Sequence, residues 1–513
     1  MVGEILTVKD FSEDVDLSCD VCIVGSGAGG AVLAAGLVAR GLSVVLLEAG
    51  GYHTQADFDL QESTAFPMLY QDRGTRATAD LGITILQGRS VGGSTTVNWT
   101  TCYRTPERIL DHWQTHHGVE GLDSETLKPH FEAVEARLNI HEWPSALVNN
   151  NNGALKRGCE SLGFEHGLIH RNTRGCANSG YCGFGCPVNG KQAMHVTFIP
   201  DAVQGGLRVF ANCRADRFET QGNKVVAVHA SVMEEDRDRP TGLSVVIRPK
   251  LAVSSGGAIN GPALLLRSGL DDHGRVGKRT FLHPVVVVVG EYEEAINAFY
   301  GAPQSVASHQ FVDRGPDRVG YFIEAAPLHP MMAATAYPGL GEDMAKYMAR
   351  LPHFAPFIGL SVDGLMLGDD GGTVSLRPDG RIRLDYAVKP HLVEAMQHAH
   401  MSLAKLQFAA GAKRASTVHR QPVILDSVAD LGKLLACPYG ALEHTIFSAH
   451  QMGGCSMGPD PETSVVNAQL RHHRVENLYV VDGSVLPTAL GVNPSETIYG
   501  LAHWACDHIA AAV

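Results

Sequence analysis

The chain has 513 residues, of which 44% are hydrophobic and 19% charged, and a formal net charge of -13. That length exceeds one compact domain and predicts two domains sharing a site, with an ordinary globular balance and a large core. The acidic excess argues against nucleic acid as a partner, and no apolar run approaches the length that spans a bilayer.

Residues 1–18 are polar and acidic, with no apolar stretch behind a basic start. The expectation is a cytoplasmic chain without a secretory signal. Asp20–Val24 reads as an apolar strand, followed at once by Gly25-Ser26-Gly27-Ala28-Gly29-Gly30, a helix of small residues, and a second strand, Leu42–Leu47, ending at Glu48. In this setting the glycines read as a dinucleotide fingerprint. Gly25 permits the tight turn, Gly27 lets backbone approach a pyrophosphate at the helix N-terminus, and Gly30 lets helix and strand pack closely. Glu48 stands where a carboxylate accepts from ribose hydroxyls. The start near residue 20 and the lack of a second fingerprint favour FAD over NAD.

Further along, residues 120–140 place Leu127, Phe131, Val134 and Leu138 at helical spacing, and Asn149–Asn152 reads as a polar loop. The eleven cysteines are odd in number and do not suggest a disulfide framework. Cys19 and Cys22 bracket the first strand and read as structural. Cys176, Cys182 and Cys186-Pro187 form a cluster of three thiols that can bind iron–sulfur; a cysteine-lined tight turn and a redox disulfide are the other readings. Residues 207–230 alternate as strands do, Val285–Val289 reads as a buried strand, and a helix is expected near 391–410. Glu324, within Phe322-Ile-Glu-Ala-Ala, is expected at the surface or in a salt bridge, with a pocket acid as the other reading. The chain ends as strand Leu478–Val481, a loop, and a helix over roughly 494–511.

Three separated segments, Gly25–Glu48, Gly88–Trp99 and Gly256–Leu270, occur in an order that resembles the glucose–methanol–choline (GMC) family of FAD-dependent oxidoreductases. The resemblance implies that Gly92, Gly93 and Ser94 line the flavin and pyrophosphate and that Asn98 hydrogen-bonds near the isoalloxazine. It also implies that Ala215 offers its backbone to the adenine and that Asp482 and Gly483 make a late FAD contact. Gly261 departs from the family pattern, which has Ser or Thr there, and Asp271 replaces a usual Gly. Val97 stands where some members carry the histidine that attaches FAD covalently, so dissociable FAD is expected.

His450-Gln-Met-Gly-Gly454-Cys-Ser-Met457 resembles the family stretch that carries the active-site histidine. A base beside the flavin must take the hydroxyl proton when hydride leaves an alcohol, and histidine suits that task near neutrality. Asn493, within Gly491-Val-Asn-Pro494-Ser-Glu496, matches the family's asparagine partner; Asn-Pro with Glu496 is also a helix-capping pattern. The resemblance therefore implies oxidation of a primary or secondary alcohol to aldehyde or ketone, with proton to His450, oxygen to Asn493 and hydride to flavin N5. The acceptor of the flavin's electrons (oxygen, quinone or cytochrome) is left open.

Phe299, Tyr300, Phe311, Tyr321, Phe322, Phe354 and Phe357 suggest an apolar pocket suited to a hydrophobic alcohol, although for most of them the domain's own core is the stronger reading. The cysteine spacing resembles the [3Fe-4S] segment of bacterial sugar dehydrogenases, whereas the Gly190-Lys-Gln192 that follows looks more like the long-chain alcohol oxidases. A sugar or polyol dehydrogenase with an iron–sulfur relay and a hydroxynitrile lyase of the same fold are the alternatives. The expected architecture is α/β. A discontinuous Rossmann-like FAD domain covers 1–140, 190–285 and 441–513, a connecting segment covers 141–189, and an α+β substrate domain with an antiparallel sheet covers 286–440.

Overall fold

The computed structural model describes residues 3–235, 238–271 and 273–513; Met1 and Val2, at the head of the polar stretch read above, lie outside them. Val15–Val24 is the centre of an eight-stranded sheet. It runs parallel to Val44–Leu47 on one side and to the second half of Pro240–Ser254 on the other. Beyond Val44–Leu47 the parallel order continues through Arg208–Phe210 to Glu4–Leu6, and Leu478–Val480 joins the end of Pro240–Ser254. The first half of Pro240–Ser254 belongs to an antiparallel meander with Lys224–Met233 and Cys213–Gln221. Val21–Val24 and Val44–Leu47 are buried throughout, the continuous apolar run expected of parallel strands covered on both faces. Helix Ala28–Ala39 lies against the C-terminal helix Ser495–Ala511, and the contact is close: a Cβ on Gly36 would sit 2.2 Å from Cys506 Sγ.

A second sheet of nine strands forms the other domain. Val285–Glu291, Phe354–Val362, Gly320–Ala325 and Val306–Phe311 make its antiparallel centre. The five valines occupy a central strand here, and the sheet's two faces belong to different cores. Val285, Phe322, Ile358 and Leu360 face the FAD domain. Val286, Val288, Tyr321, Ile323 and Phe357 face a separate core beneath helices Pro390–Ala409 and Asn150–Leu162. Three strands come from outside the expected range: Ile446–Ser448 pairs with Val285 and brings in Ile83–Ile85, and Gly167–Leu168 pairs with Val306–Ala307.

The helix Ser124–Leu138 buries Leu127, Phe131, Val134 and Leu138, as their spacing requires. Asn149–Asn152 is a helix start and not a loop. Asn149 accepts the Asn152 N–H at 2.9 Å as N-cap, and Asn152 Oδ1 accepts from Ser305 and Val306 at 2.9 and 3.0 Å. Short amides are the best N-caps, worth about 1 kcal/mol, so a polar run can open a helix as readily as it can form a loop. At the last helix no side chain caps the N-terminus. Asn493 is thereby free of the capping role, and Glu496 instead hydrogen-bonds Glu135 beside Arg104, with its own carboxyl pushed well up by burial and by that neighbour.

Candidate active site

A cavity of about 1040 Å³ runs between the two sheets, bounded at one end by the glycine turn and at the other by His450 and Asn493. At the turn, Gly25 has φ +106°, and a Cβ there would lie 2.2 Å from the Ser255 carbonyl oxygen. Only glycine accepts both constraints. Gly27 caps the helix Ala28–Ala39, whose free N–H groups point at the cavity. Gly93, at φ +54°, comes so close that its Cβ would lie 2.7 Å from Gly27 Cα.

The fingerprint, the acid and the second glycine segment are tied together by one hydroxyl. Ser26 Oγ donates to Glu48 Oε2 at 2.6 Å and accepts the Gly92 N–H at 2.9 Å. Glu48 also accepts from the amides of Ser26 and Gly50, which oppose the upward push that burial gives its carboxyl.

Of the expected cofactor residues, Gly25, Gly27, Glu48, Gly93, Ser94, Asn98, Ala215, Asp482 and Gly483 all line this cavity. Gly30 and Gly92 stand behind its wall. Gly30 packs against the Gly25 carbonyl, and a Cβ on Gly92 would lie 2.7 Å from Thr96 Oγ1. Asp482 accepts the N–H of Gly257, the first residue of helix Gly257–Arg267, at 2.8 Å and that of Ser484 at 2.8 Å. Gly261 follows on this helix with its missing side chain facing Asp482, where a Cβ would sit 3.3 Å from Oδ2. The donor set fits FAD: two helix N-termini and two glycine segments converge at one end of the cavity. Val97, also on its wall, has no atom that can attach a flavin.

The opposite end is a hydrogen-bonded chain drawn from distant segments. His450 Nδ1 lies 2.9 Å from Nδ1 of His283, and His450 Nε2 lies 3.3 Å from Asn493 Nδ2. Asn493 stands beside Glu324; Gln304 Nε2 donates to Glu324 Oε2 at 2.7 Å, and Thr101 Oγ1 donates to Gln304 Oε1 at 2.9 Å. Burial pushes His450 down to about 4 and His283 well below the usual histidine range, and it pushes Glu324 up to about 8. At neutral pH the site therefore holds two neutral imidazoles and a protonated carboxyl. Asn493 Oδ1 and Glu324 Oε1 are buried without partners on the wall of the cavity.

Glu324 is 0% exposed and makes no salt bridge, so the expected surface or ion-paired position is corrected. The apolar residues around it already argued for burial. Gln304, Thr101 and His283 carried no sequence signal. None of the seven aromatic residues expected at the pocket lines the cavity; its apolar wall is made by Val285, Ile358, Leu360, Phe447, Met332 and Trp99.

Cys176, Cys182 and Cys186 do come together, around a second, much smaller cavity. Each sulfur accepts an N–H: Asn178 to Cys176 at 3.4 Å, Arg171 to Cys182 at 3.6 Å and Lys191 to Cys186 at 3.4 Å. All three are free thiols. Lys191 then bridges to the flavin segment, donating from Nζ to the carbonyls of Cys182 at 2.7 Å, Thr96 at 2.5 Å and Asn98 at 3.2 Å. The cysteine loop thus buttresses Gly93–Asn98.

Comparison with known proteins agrees with this arrangement. Residues 66–285 and 369–502 match the two GMC oxidoreductase family models, N-terminal and C-terminal. An uncharacterized GMC-type oxidoreductase of Mycobacterium tuberculosis is 32% identical over 96% of this chain and 76% of its own length. A long-chain-alcohol oxidase of Arabidopsis thaliana is 30% identical over 99% of this chain and 70% of its own. Among solved structures, pyridoxine 4-oxidase from Mesorbium loti superposes with TM-score 0.72 at 20% identity, covering 96% of this chain and 99% of its own.

Proposed function

Since the chain belongs to the GMC oxidoreductase family, whose members oxidise CH–OH donors with FAD, we propose that it oxidises a hydrophobic primary or secondary alcohol to the aldehyde or ketone. The observation that carries this reading is the His450–Asn493 pair, 3.3 Å apart, on the wall of the cavity that begins at the glycine turn. Bound FAD supplies the two-electron acceptor for the substrate's hydride; everything else is assigned to the protein.

To accept a proton at Nε2, His450 must carry its own proton on Nδ1, and His283 Nδ1 is placed to accept it. His283 thus acts as a positioning residue that fixes the tautomer. Asn493 Nδ2 meets the Nε2 lone pair in the resting site and is within reach of an alcohol oxygen that enters there. Glu324, protonated and partly unpartnered, supplies a further neutral donor beside Asn493 and adds no negative charge where alkoxide character develops.

The wall of Val285, Ile358, Leu360, Phe447 and Met332 supports an aliphatic substrate over a sugar, whose hydroxyls would find few partners there. Long-chain-alcohol oxidases among the relatives point the same way. The role assigned to the cysteine loop is the one its contacts carry, support of the flavin segment through Lys191.

The test is anaerobic mixing of the purified yellow protein with a series of 1-alkanols and with glucose. Bleaching by the alkanols, improving with chain length, is expected; bleaching by glucose alone would overturn the substrate class. No bleaching by any alcohol, with turnover of a cyanohydrin, would make the protein a lyase.

A further inference from the structure

Outside the active site, the substrate domain holds three buried histidines that the oxidation does not use. His400 lies midway along helix Pro390–Ala409, His419 follows the strand Arg414–Thr417, and His444 precedes the strand Ile446–Ser448. They are 0%, 1% and 4% exposed. His419 and His444 face each other across an isolated antiparallel bridge, so the chain between them leaves and returns at this point. One ring nitrogen from each histidine lies within 4.8 Å of the other two. The Nε2 atoms of His400 and His444 are 3.1 Å apart, and the three ring centroids are separated by 4.3, 4.9 and 5.2 Å. Nitrogens bound tetrahedrally at about 2.0–2.1 Å from one zinc ion stand about 3.3 Å apart; the His400–His444 pair is near that spacing, and small ring movements would bring in the third nitrogen, which lies within 4.8 Å of both.

The outer contacts fix which nitrogens are bare. His400 Nδ1 lies 3.0 Å from the Met396 carbonyl, which can only accept, so the proton is on Nδ1 and Nε2 accepts from His444 Nε2 at 3.1 Å. His419 Nδ1 is 2.8 Å from Thr417 Oγ1, leaving Nε2, which has no hydrogen-bond partner. His444 Nδ1 also lacks a partner. Main-chain carbonyls of Pro438 and Thr445 stand beside the rings of His419 and His444. His400 has its second ring nitrogen on a main-chain carbonyl, that of Met396, the usual support of a metal-bound imidazole, and His419 has its own on Thr417 Oγ1. The groups facing the three rings are each other, main-chain groups of Met396, Val287, Pro438 and Thr445, Thr417, and Tyr439 Oη, which is 2.8 Å from His400 Nδ1; none is an anion. At His444 binding requires only a tautomer change from Nε2–H to Nδ1–H.

We propose that His400, His419 and His444 form a binding site for one divalent transition-metal ion of the zinc class, structural in role, with a solvent ligand in the fourth position. The ion would fasten the base of the 419–444 loop to the long helix, six residues ahead of His450.

The probe is zinc itself. Untagged, FAD-loaded protein from zinc-supplemented medium is expected to carry about one zinc per chain by elemental analysis, with X-ray absorption showing nitrogen neighbours at about 2.0–2.1 Å. His419→Ala and His444→Ala should lose at least tenfold in zinc while keeping their flavin absorbance, which shows that they fold. A chelator should lower the melting temperature of the wild type, and added zinc, but not magnesium, should restore it. A variant that fails to fold leaves the wild-type measurements to decide. Absence of zinc from the wild type both as purified and after dialysis against zinc would overturn the site and leave a dry histidine cluster; zinc retained in both folded variants would overturn it equally.

Discussion

The two ends of the large cavity are built in opposite ways. The nucleotide end comes from short stretches in which strand, turn and helix are consecutive, and its key contacts (Gly25 against Ser255, Ser26 to Glu48 and Gly92) are made by backbone and by one small hydroxyl. The catalytic end is a chain of side chains from residues 101, 283, 304, 324, 450 and 493, adjacent only after both sheets have assembled. Close backbone packing demands glycine at fixed spacing and so leaves a motif. A hydrogen-bond chain across distant segments demands only that each donor meet an acceptor, and it leaves none.

That contrast is open to experiment, because damage at each end should have a different signature. Gly25→Val should have the largest effect. Its side chain would collide with the Ser255 carbonyl at a φ that β-branched residues avoid, so the prediction is protein without yellow colour and without activity. His450→Ala should keep full flavin absorbance and lose about 10²–10⁴-fold in kcat, as expected for removal of a general base. Asn493→Ala should also keep its flavin and lose about 10²-fold, the effect of removing one donor to a developing oxyanion. His283→Ala should cost less, about tenfold in kcat with little change in KM, because it acts only through the tautomer of His450.

Glu324→Gln should have the smallest effect at neutral pH and a clear one in alkali. His450 accepts a proton only when neutral, so kcat/KM should rise through about pH 4 and then stay level. Above about pH 8 Glu324 loses its proton and places a negative charge beside Asn493, so kcat/KM should fall. The glutamine, always neutral, should abolish the alkaline limb and leave the acidic one.

The same contrast sets how much was legible in the sequence. The strand–turn–helix at residues 20–48 and the burial of Val285–Val289 were legible because each rests on local pattern. The place of His450 and Asn493 at the cavity was legible through family motifs, and the weaker reading of Asn493 as a helix cap fell away because the helix begins without one. Glu324 was misplaced because a lone acid among apolar residues is usually solvated or ion-paired, and its neutral, hydrogen-bonded burial depends on Gln304 and Asn493, far away in sequence. For most of the aromatic residues the domain's own core was the stronger reading, and strand alternation sends Tyr321 and Phe357 there.

The most direct test of the account is the anaerobic rate of flavin bleaching by a saturating long-chain alcohol in wild-type and His450→Ala holoenzymes with equal flavin content. The wild type should bleach rapidly and the variant at least 10²-fold more slowly at neutral pH. Equal rates in the two would contradict the assignment of His450 as the base that takes the hydroxyl proton.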